Sequence, residues 1–236
     1  MDTAHILAKH VGVVNIFLLE SPAMPRSGPY HHGNLKQALV AAAIELIRRA
    51  GPHGFTLREV ARRAGVSHNA PYRHFRRRDD LLAEVAAEGF ERLTKSMNEA
   101  AARGASPIER FQLSGWGYVH FALRYPEHFT VMFDRPGILK SSARCKEAGG
   151  KAFAALLGFV RDCQDAAIFP PGDAQPIALM AWSVVHGVSK LAISGQLPFS
   201  SQAKVLEFTT SLTRMLAWGM VQAPPGVAIP GPMPPP

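Results

Sequence analysis

Apolar residues recur at helical spacing from residue 35 onwards in this chain of 236 residues. The first such segment follows Asn34, a residue type that caps helix N-termini, and stops at Gly51 and Pro52. The apolar positions on its inward face are Leu35, Leu39, Ala42, Leu46 and Ile47. Because most neighbours in this set are three or four residues apart, the pattern predicts an amphipathic helix.

A second and a third helix are predicted to follow, joined by a tight glycine turn. Thr56 is placed to cap the second helix, and Gly65 is placed to end it. The apolar face of this helix comprises Leu57, Val60, Ala61 and Ala64. Ser67 can cap the third helix, which is short and polar. Two short helices joined by a glycine turn, the second of them polar, describe a helix-turn-helix.

The third helix contains Pro71, a residue type that breaks helix interiors. With Ser67 as the N-cap, Pro71 takes the fourth helical position, where its missing N–H only begins to cost an intrahelical bond. Pro71 and Phe75 are four residues apart and are predicted to point inward. The side chains left for an outside partner are His68, Asn69, Ala70, Arg73 and His74. The positive end of this helix favours a nearby phosphate.

The rest of the chain is predicted to form further helices, so the predicted fold class is all-α. Ser106 and Glu109 have the spacing of a capping box for the first of them. The predicted helices run over about 107–124, 126–135, around 153–160, and over about 176–194 and 201–220. The last one carries an apolar stripe of Val205, Phe208, Leu212 and Met215. A stripe of this kind can pack against a second copy of the chain.

Charge is segregated along the chain. Net charge is +8, and residues 26–78 carry eleven Lys or Arg against two acidic residues, a net charge of +9. Residues 79–236 carry fourteen residues of each sign. A basic segment next to a neutral remainder indicates a face that binds nucleic acid.

The remaining composition favours a folded, reduced protein without a membrane span. With 47% hydrophobic residues, most of the chain is expected to fold. Cys145 and Cys163 form no CxxC pair, which favours a reduced, cytoplasmic protein. No apolar run reaches the ~20 residues of a membrane span, so no membrane partner is predicted. Residues 1–29 are interpreted as a flexible extension or a mis-assigned start, and the Pro-rich residues 223–236 as a disordered tail.

The segment FTLREVARRAGVSHNAPYRHFRRRDDLLAEV, residues 55–85, resembles the DNA-binding domain of the TetR family of bacterial transcriptional repressors. The similarity extends over about residues 34–85 and includes the Ala-Gly-Val-Ser turn and the Tyr-x-x-Phe pair. The chain has Arg78 where the family usually has Lys, which keeps the charge and changes its geometry. The resemblance implies a helix-turn-helix domain at 30–78, a connecting helix at 79–104 and a helical effector-binding and dimerisation domain at 105–222.

By position, the resemblance also implies which residues contact double-stranded DNA. The expected base contacts are Arg58, His68, Asn69 and Ala70, and the expected phosphate contacts are Thr56, Ser67, Tyr72, His74 and Arg78. The chemistry agrees, because Asn can pair bidentately with adenine and an Ala methyl can touch the thymine methyl.

Residues 182–187, WSVVHG, resemble a C-terminal domain type of the same family that carries a Trp-x-x-x-His-Gly signature. This implies a pocket for a small apolar effector, drawn from Trp116, Phe121, Phe129, Phe133, Phe153, Trp182 and His186. It also implies a homodimer through the last two helices, with Val205, Phe208, Leu212 and Met215 at the interface. The expected protein is a ligand-responsive repressor that binds a palindromic operator.

Two other functions compete with this interpretation. An enzyme could use the aromatic residues and histidines, but the sequence shows no HExxH motif, Gly-rich phosphate loop or GxSxG elbow. We therefore predict no enzymatic activity, catalytic residue, metal or cofactor. A helical protein that binds nucleic acid without sequence preference would explain the charge but not the helix with base-reading residues, and it remains the alternative.

Overall fold

The computed structural model of the protein describes residues 35–134, 137–138 and 142–220. Every regular element in these ranges is helical, which confirms the predicted fold class. The α-helices are α1 Leu35–Ala50, α2 Leu57–Arg63, α3 Arg78–Ala101, α4 Pro107–Arg124, α5 Pro126–Phe133, α6 Ala143–Asp165, α7 Ala174–Ile193 and α8 Gln202–Met220, and a 3-10 helix spans Ala70–Arg73. The predicted cap Asn34, the extension at 1–29 and the tail at 223–236 lie outside the described residues.

Local sequence signals set many of these helix ends. The chain leaves α1 through Gly51, which has a φ of 73°. The predicted capping box precedes α4, where Ser106 N donates to Glu109 Oε2 at 3.3 Å and Glu109 N donates to Ser106 Oγ at 3.4 Å. Asp173 caps α7 by accepting a hydrogen bond from Gln175 N at 3.0 Å, which places the start of α7 two residues before the predicted one.

Helix α6 is longer than the apolar pattern indicated. It was predicted around 153–160 with a stop before Pro170, but it begins at Ala143 and ends at Asp165. The chain turns away through Ala167, whose φ of 53° lies in the left-handed region. That conformation costs an L-residue roughly 1–2 kcal/mol. Ile168 N closes the end by bonding to Cys163 O at 2.8 Å.

The described chain forms two compact units that interleave along the sequence. The first, which we call the N-unit, comprises residues 35–95 and 121–153, and the second, the C-unit, comprises residues 96–120 and 154–220. The consecutive division at 30–78, 79–104 and 105–222 stays a prediction. The contacts of the described residues group α5 with α1, because these two helices pack against each other.

An ion pair and a close approach fix α5 within the N-unit. Arg48 Nε on α1 donates to Glu127 Oε1 at 2.5 Å, and the Glu127 side chain is largely buried. This hydrogen bond raises the pKa of Arg48. Gly89 on α3 lies against Met132, since a Cβ at Gly89 would stand 2.5 Å from Met132 Sδ.

The C-unit is organised around the packing of α7 on α8. The inward positions of α8 are Val205, Thr209, Thr213, Ala217 and Met220, all buried. Gly115 on α4 lets α8 come close, because a Cβ there would stand 2.9 Å from Thr213 Cγ2. The inward face of α8 is therefore used within the unit.

Helix α7 is apolar as well as long. It spans 20 residues with a mean hydropathy of 1.4 over its best window, so it could cross a membrane by length and composition. The core helix of a soluble protein passes the same test, so the expectation that the chain has no membrane partner stays a prediction. Helix α7 packs on α8 and buries Ala178, Ala181 and Val185.

Candidate nucleic-acid interface

Helix α2 begins with a complete capping box. Thr56 N donates to Glu59 Oε2 at 2.7 Å, and Glu59 N donates to Thr56 Oγ1 at 3.2 Å. The Thr56 hydroxyl also donates to Glu59 Oε2 at 2.9 Å. These bonds lower the pKa of Glu59. The predicted cap is confirmed, but the Thr56 hydroxyl proton is directed at Glu59, so a phosphate contact from Thr56 requires that bond to be exchanged.

The turn after α2 has the geometry that only glycine adopts readily. Gly65 has a φ of 69°. Gly65 N bonds to Arg62 O at 3.3 Å and Val66 N bonds to Ala61 O at 3.0 Å. This pair of bonds is a Schellman motif, in which the glycine follows the C-cap. The predicted role of Gly65 is confirmed.

The third helix of the motif is a 3-10 helix, Ala70–Arg73, instead of the predicted helix capped by Ser67. Asn69 occupies the N-cap position and makes no side-chain capping bond. The physical reason is Pro71, which has no N–H to return to Ser67 O. Ser67 O accepts from Ala70 N at 2.9 Å instead, which tightens the turn. The prediction that Ser67 caps an α-helix was wrong.

Polar side chains face outward on this short helix, and apolar ones face inward. Pro71 and Phe75 are buried, as predicted. Ala70 is also buried, with 9% of its surface exposed, so its methyl lies with Pro71 instead of beside the outward groups. Burial within one protomer does not test a DNA contact, so the assignment of Ala70 to a base edge stays a prediction. The exposed predicted contacts are Thr56, Arg58, Ser67, His68, Asn69, Tyr72 and His74.

Arg78 has a structural task that the sequence did not reveal. Its Nη1 donates to His53 O at 2.9 Å, which ties the start of α3 to the loop before α2. Its Nε is buried without a hydrogen-bond partner among the described residues, although Asp79 Oδ1 lies 4.0 Å away. Arg78 therefore holds the helix-turn-helix together as well as standing at a predicted phosphate position.

Some of the basic residues that the charge count assigned to the nucleic-acid face are paired with acidic side chains. Five of these basic residues pair within the N-unit: Lys36 with Glu84, Arg48 with Glu127, Arg63 with Glu45, Arg77 with Asp80, and Arg78 with Asp79. The exposed basic residues around the helix-turn-helix include Arg58, Arg62, Arg73, Arg76 and Arg77. Arg76 and Arg77 were counted in the sequence only as charge, and Arg77 keeps 79% of its side chain exposed.

Within the C-unit, three predicted or neighbouring pocket residues form a hydrogen-bonded cluster. Trp182 Nε1 donates to Tyr118 Oη at 3.1 Å, and Tyr118 Oη lies 2.9 Å from His186 Nδ1. Burial raises the pKa of the Tyr118 phenol, which therefore keeps its proton. The indole can only donate, so Tyr118 Oη accepts from Trp182, and the direction of the bond between Tyr118 Oη and His186 Nδ1 depends on the imidazole tautomer.

The other predicted pocket residues stand on another face of α4 or belong to the N-unit. Trp116 stands two positions before Tyr118 on α4, which turns it by about 200° around the helix, away from Trp182 and His186. The four phenylalanines belong to the N-unit, namely Phe121, Phe129, Phe133 and Phe153. The rings of Phe129 and Phe133 lie 4.9 Å apart. The predicted pocket residues thus divide into separate groups in the two units.

The outward face of α7 and α8 is apolar. Met215 is 72% exposed and Trp218 is 57% exposed, and Phe208 is also exposed while Leu212 is half-buried. Val205 is only 6% exposed because it lies on the inward face of α8, so the protomer itself covers it, and its place in the dimer stripe stays a prediction. Sequence analysis missed Trp218 and three exposed residues of α7, which are Leu179, Met180 and Leu191.

No group of three or more His, Cys, Asp or Glu side chains suited to a metal ion occurs in the part of the chain that the structure describes.

Family comparisons cover both parts of the chain. Residues 39–85 match the family described as "Bacterial regulatory proteins, tetR family". Residues 111–216 match "Tetracyclin repressor-like, C-terminal domain".

A curated relative is similar over the N-terminal part. An HTH-type transcriptional repressor from Mycobacterium tuberculosis is 31% identical over 85 residues, which cover 36% of this chain and 44% of that protein. The chain therefore spans less than half the length of this relative.

Solved structures are similar over most of the chain. A Rhodococcus protein of unknown function is 36% identical with a TM-score of 0.71, over 83% of this chain and all of that one. The regulator FadR from Bacillus subtilis, solved with stearoyl-CoA, has a TM-score of 0.61 at 16% identity, over 78% of this chain and 98% of that one. At that identity the likeness concerns the fold alone.

Proposed function

The chain belongs to the TetR family of bacterial transcriptional regulators, and we propose that it is a cytoplasmic repressor that binds a palindromic operator as a homodimer and leaves it when an effector binds. One observation carries this proposal. Exposed polar side chains stand on a short helix whose inward residues, Pro71 and Phe75, are buried. The buried residues fix this helix on the domain, so its exposed polar side chains are placed to meet hydrogen-bonding groups such as base edges.

Base readout is assigned to the exposed residues before and at the start of the 3-10 helix. Asn69 can form two hydrogen bonds with adenine in the major groove, and His68 can reach a neighbouring base. Arg58 on α2 is exposed and can reach a base or a phosphate. Ala70 is left out of this set because it is buried.

Phosphate binding is assigned to the residues around these base readers. Tyr72 is 50% exposed, and Ser67, His74 and Arg77 are exposed as well. Each neutralised phosphate releases counterions, so affinity falls with salt by about 0.9 of logarithmic slope per contact. Arg77 joins the predicted set because its side chain is 79% exposed although Asp80 Oδ1 lies 3.6 Å away, whereas Arg78 donates a hydrogen bond to His53 O.

Dimerisation is assigned to the outward face of α7 and α8. Apolar side chains as exposed as Met215 and Trp218 mark a surface that another protein covers. Ser183 and Gly187 lie on the same helix as the exposed Leu179 and Leu191 and are small enough to let a partner helix approach. A two-fold pair of such faces would place two helix-turn-helix motifs on successive half-sites.

The proposed effector is a small molecule with an apolar part. FadR, which has the same fold, was solved with stearoyl-CoA, a molecule with a long acyl chain. Effector binding is expected to weaken operator binding by about 1–3 kcal/mol, the usual scale of coupling between sites.

A test of the proposal begins with selection of DNA sites from a random library. A repressor of this kind selects a palindrome with half-sites about one helical turn apart. Its binding to that site survives excess unrelated DNA. Arg77→Gln reduces the salt slope, Tyr72→Phe weakens binding to all sequences about equally, and neither changes the selected sequence. If no sequence were enriched and unrelated DNA competed equally, the chain would be a binder without sequence preference.

A further inference from the structure

Two buried hydrogen-bond donors stand on one face of α4 without an acceptor. Gln112 is 5% exposed and Trp116 is 6% exposed. Gln112 Nε2 and Trp116 Nε1 have no hydrogen-bond partner among the described residues. Because the two residues are four positions apart on an α-helix, their side chains leave it one above the other.

Such a pair needs an explanation. A buried N–H without an acceptor carries its full desolvation penalty, so folded proteins keep few of them. Leu at position 112 and Phe at position 116 would fill the space without that penalty. The same helix shows the usual solution at Ser114, whose buried hydroxyl donates to Phe111 O at 2.7 Å.

The surroundings of the pair are cationic and aromatic. The Arg103 guanidinium lies over the Trp116 ring, with Cζ 5.2 Å from the ring centroid. His120 stacks on the Trp116 ring, with ring centroids 4.9 Å apart and planes 9° from parallel. Arg103 is exposed, so a molecule entering from solvent towards Trp116 passes a positive charge.

We propose that Gln112 and Trp116 bind the carboxylate of the effector, one oxygen on Gln112 Nε2 and the other on Trp116 Nε1. A carboxylate has two acceptor oxygens and no donor, which matches two donors without acceptors. Its charge needs a counter-charge when it is taken out of water, and Arg103 supplies one. This inference rests on the proposed effector response and names the chemical class of that effector.

The experiment uses full-length protein and straight-chain carboxylates from acetate to decanoate, each beside the amine of the same length. Calorimetry measures their affinities. The indole N–H resonance of Trp116 in the NMR spectrum reports on the site, and it is assigned by its loss in Trp116→Phe. We expect at least one carboxylate to bind and to shift that resonance downfield, and its amine not to bind. Gln112→Leu should weaken carboxylate binding about tenfold or more, because a hydrogen bond to a charged group is lost.

Ser114→Ala is the matched control, since it removes a buried polar group of α4 that already has a partner. It should leave carboxylate affinity unchanged. The proposal is overturned if no carboxylate binds wild-type protein, or if Gln112→Leu binds carboxylates as wild type does. Operator binding is measured separately in the absence of these compounds, so a protein that binds its operator but no carboxylate refutes the ligand class and leaves the proposed function standing.

Discussion

The helix-turn-helix and the terminal helix pair expose opposite kinds of surface. Around the 3-10 helix, the exposed side chains are polar, as at Asn69 and His74, and the apolar Phe75 is buried. On α8 the inward residues include Thr209 and Thr213, and the most exposed large apolar side chain is Met215.

This difference shows what kind of partner each surface fits. Exposed polar groups on a rigid helix remain hydrated until they meet hydrogen-bonding groups such as base edges. Exposed apolar groups in one patch are stabilised only when another apolar surface covers them. The first region therefore fits DNA, and the second fits a second copy of the chain.

The largest expected effect comes from a charge on the apolar surface. Met215→Asp would bury an unpaired carboxylate at the proposed interface in each protomer, at a cost of several kcal/mol. We expect folded monomers in sedimentation velocity and loss of operator binding in a gel-shift assay, because one half-site alone binds weakly.

Two other substitutions on α8 serve as controls for that result. Gln202→Asp puts the same charge at an exposed position in the first turn of the helix and should leave the dimer intact. Val205→Asp puts it on the inward face, so circular dichroism should show unfolding instead of dissociation. A Met215→Asp protein that sediments as a dimer would contradict the interface.

A smaller effect is expected from a larger side chain on the same surface. Gly187 on α7 has nothing within 4 Å of where a Cβ would stand, so the single protomer has room for a larger side chain. Gly187→Met should lower the stability of the dimer by about 1–3 kcal/mol through overpacking against the partner, and leave the monomer folded. Gly158→Met on α6, where the surrounding space is also open, is the control. Equal dimer dissociation constants for both variants would place the partner elsewhere.

On the polar surface, the expected effect is a change of specificity. Asn69→Ala should remove about 1–3 kcal/mol of discrimination at one base pair of each half-site, because a bidentate pair with adenine is lost. Affinity for unrelated DNA should change little. Site selection with both proteins measures this, and an unchanged consensus in the variant would show that Asn69 is not a base reader.

Some features of these two surfaces were predicted from the sequence and others were not. The helix-turn-helix was predicted in detail because its signals are local: Thr56 caps, Gly65 turns, and Pro71 and Phe75 keep one side apolar. The change from an α-helix to a 3-10 helix was missed, since the tightening depends on where Ser67 O finds a donor.

On α8, helical spacing identified an apolar stripe but not which part of it faces the partner. Val205 and Met215 belong to the same sequence pattern, and only packing against α7 and α4 places Val205 inside. The buried donors of Gln112 and Trp116 had no sequence signal, because Gln and Trp at helical spacing also occur in fully bonded cores.

The smallest effect tests the glycine turn between α2 and the 3-10 helix. Gly65→Ala meets open space, so its cost is the left-handed backbone alone, roughly 1–2 kcal/mol. Gly158→Ala, within α6 and also in open space, should instead stabilise the fold by about 0.5–1 kcal/mol. Urea unfolding measures the free energy of unfolding of both variants. A loss of stability in both would show that a Cβ at Gly158 meets neighbouring atoms.

The packing of α5 on α1 bears on how such regulators can be recombined. A chimaera that takes only the first 95 residues of this chain would leave Arg48 without Glu127 and uncover the side of α1 that α5 occupies. The segment that reads DNA is therefore not a cassette that can be cut out in one piece. A graft onto another regulator should carry α5, Pro126–Phe133, with it, or replace α5 with a helix that restores the same carboxylate and the same contact surface.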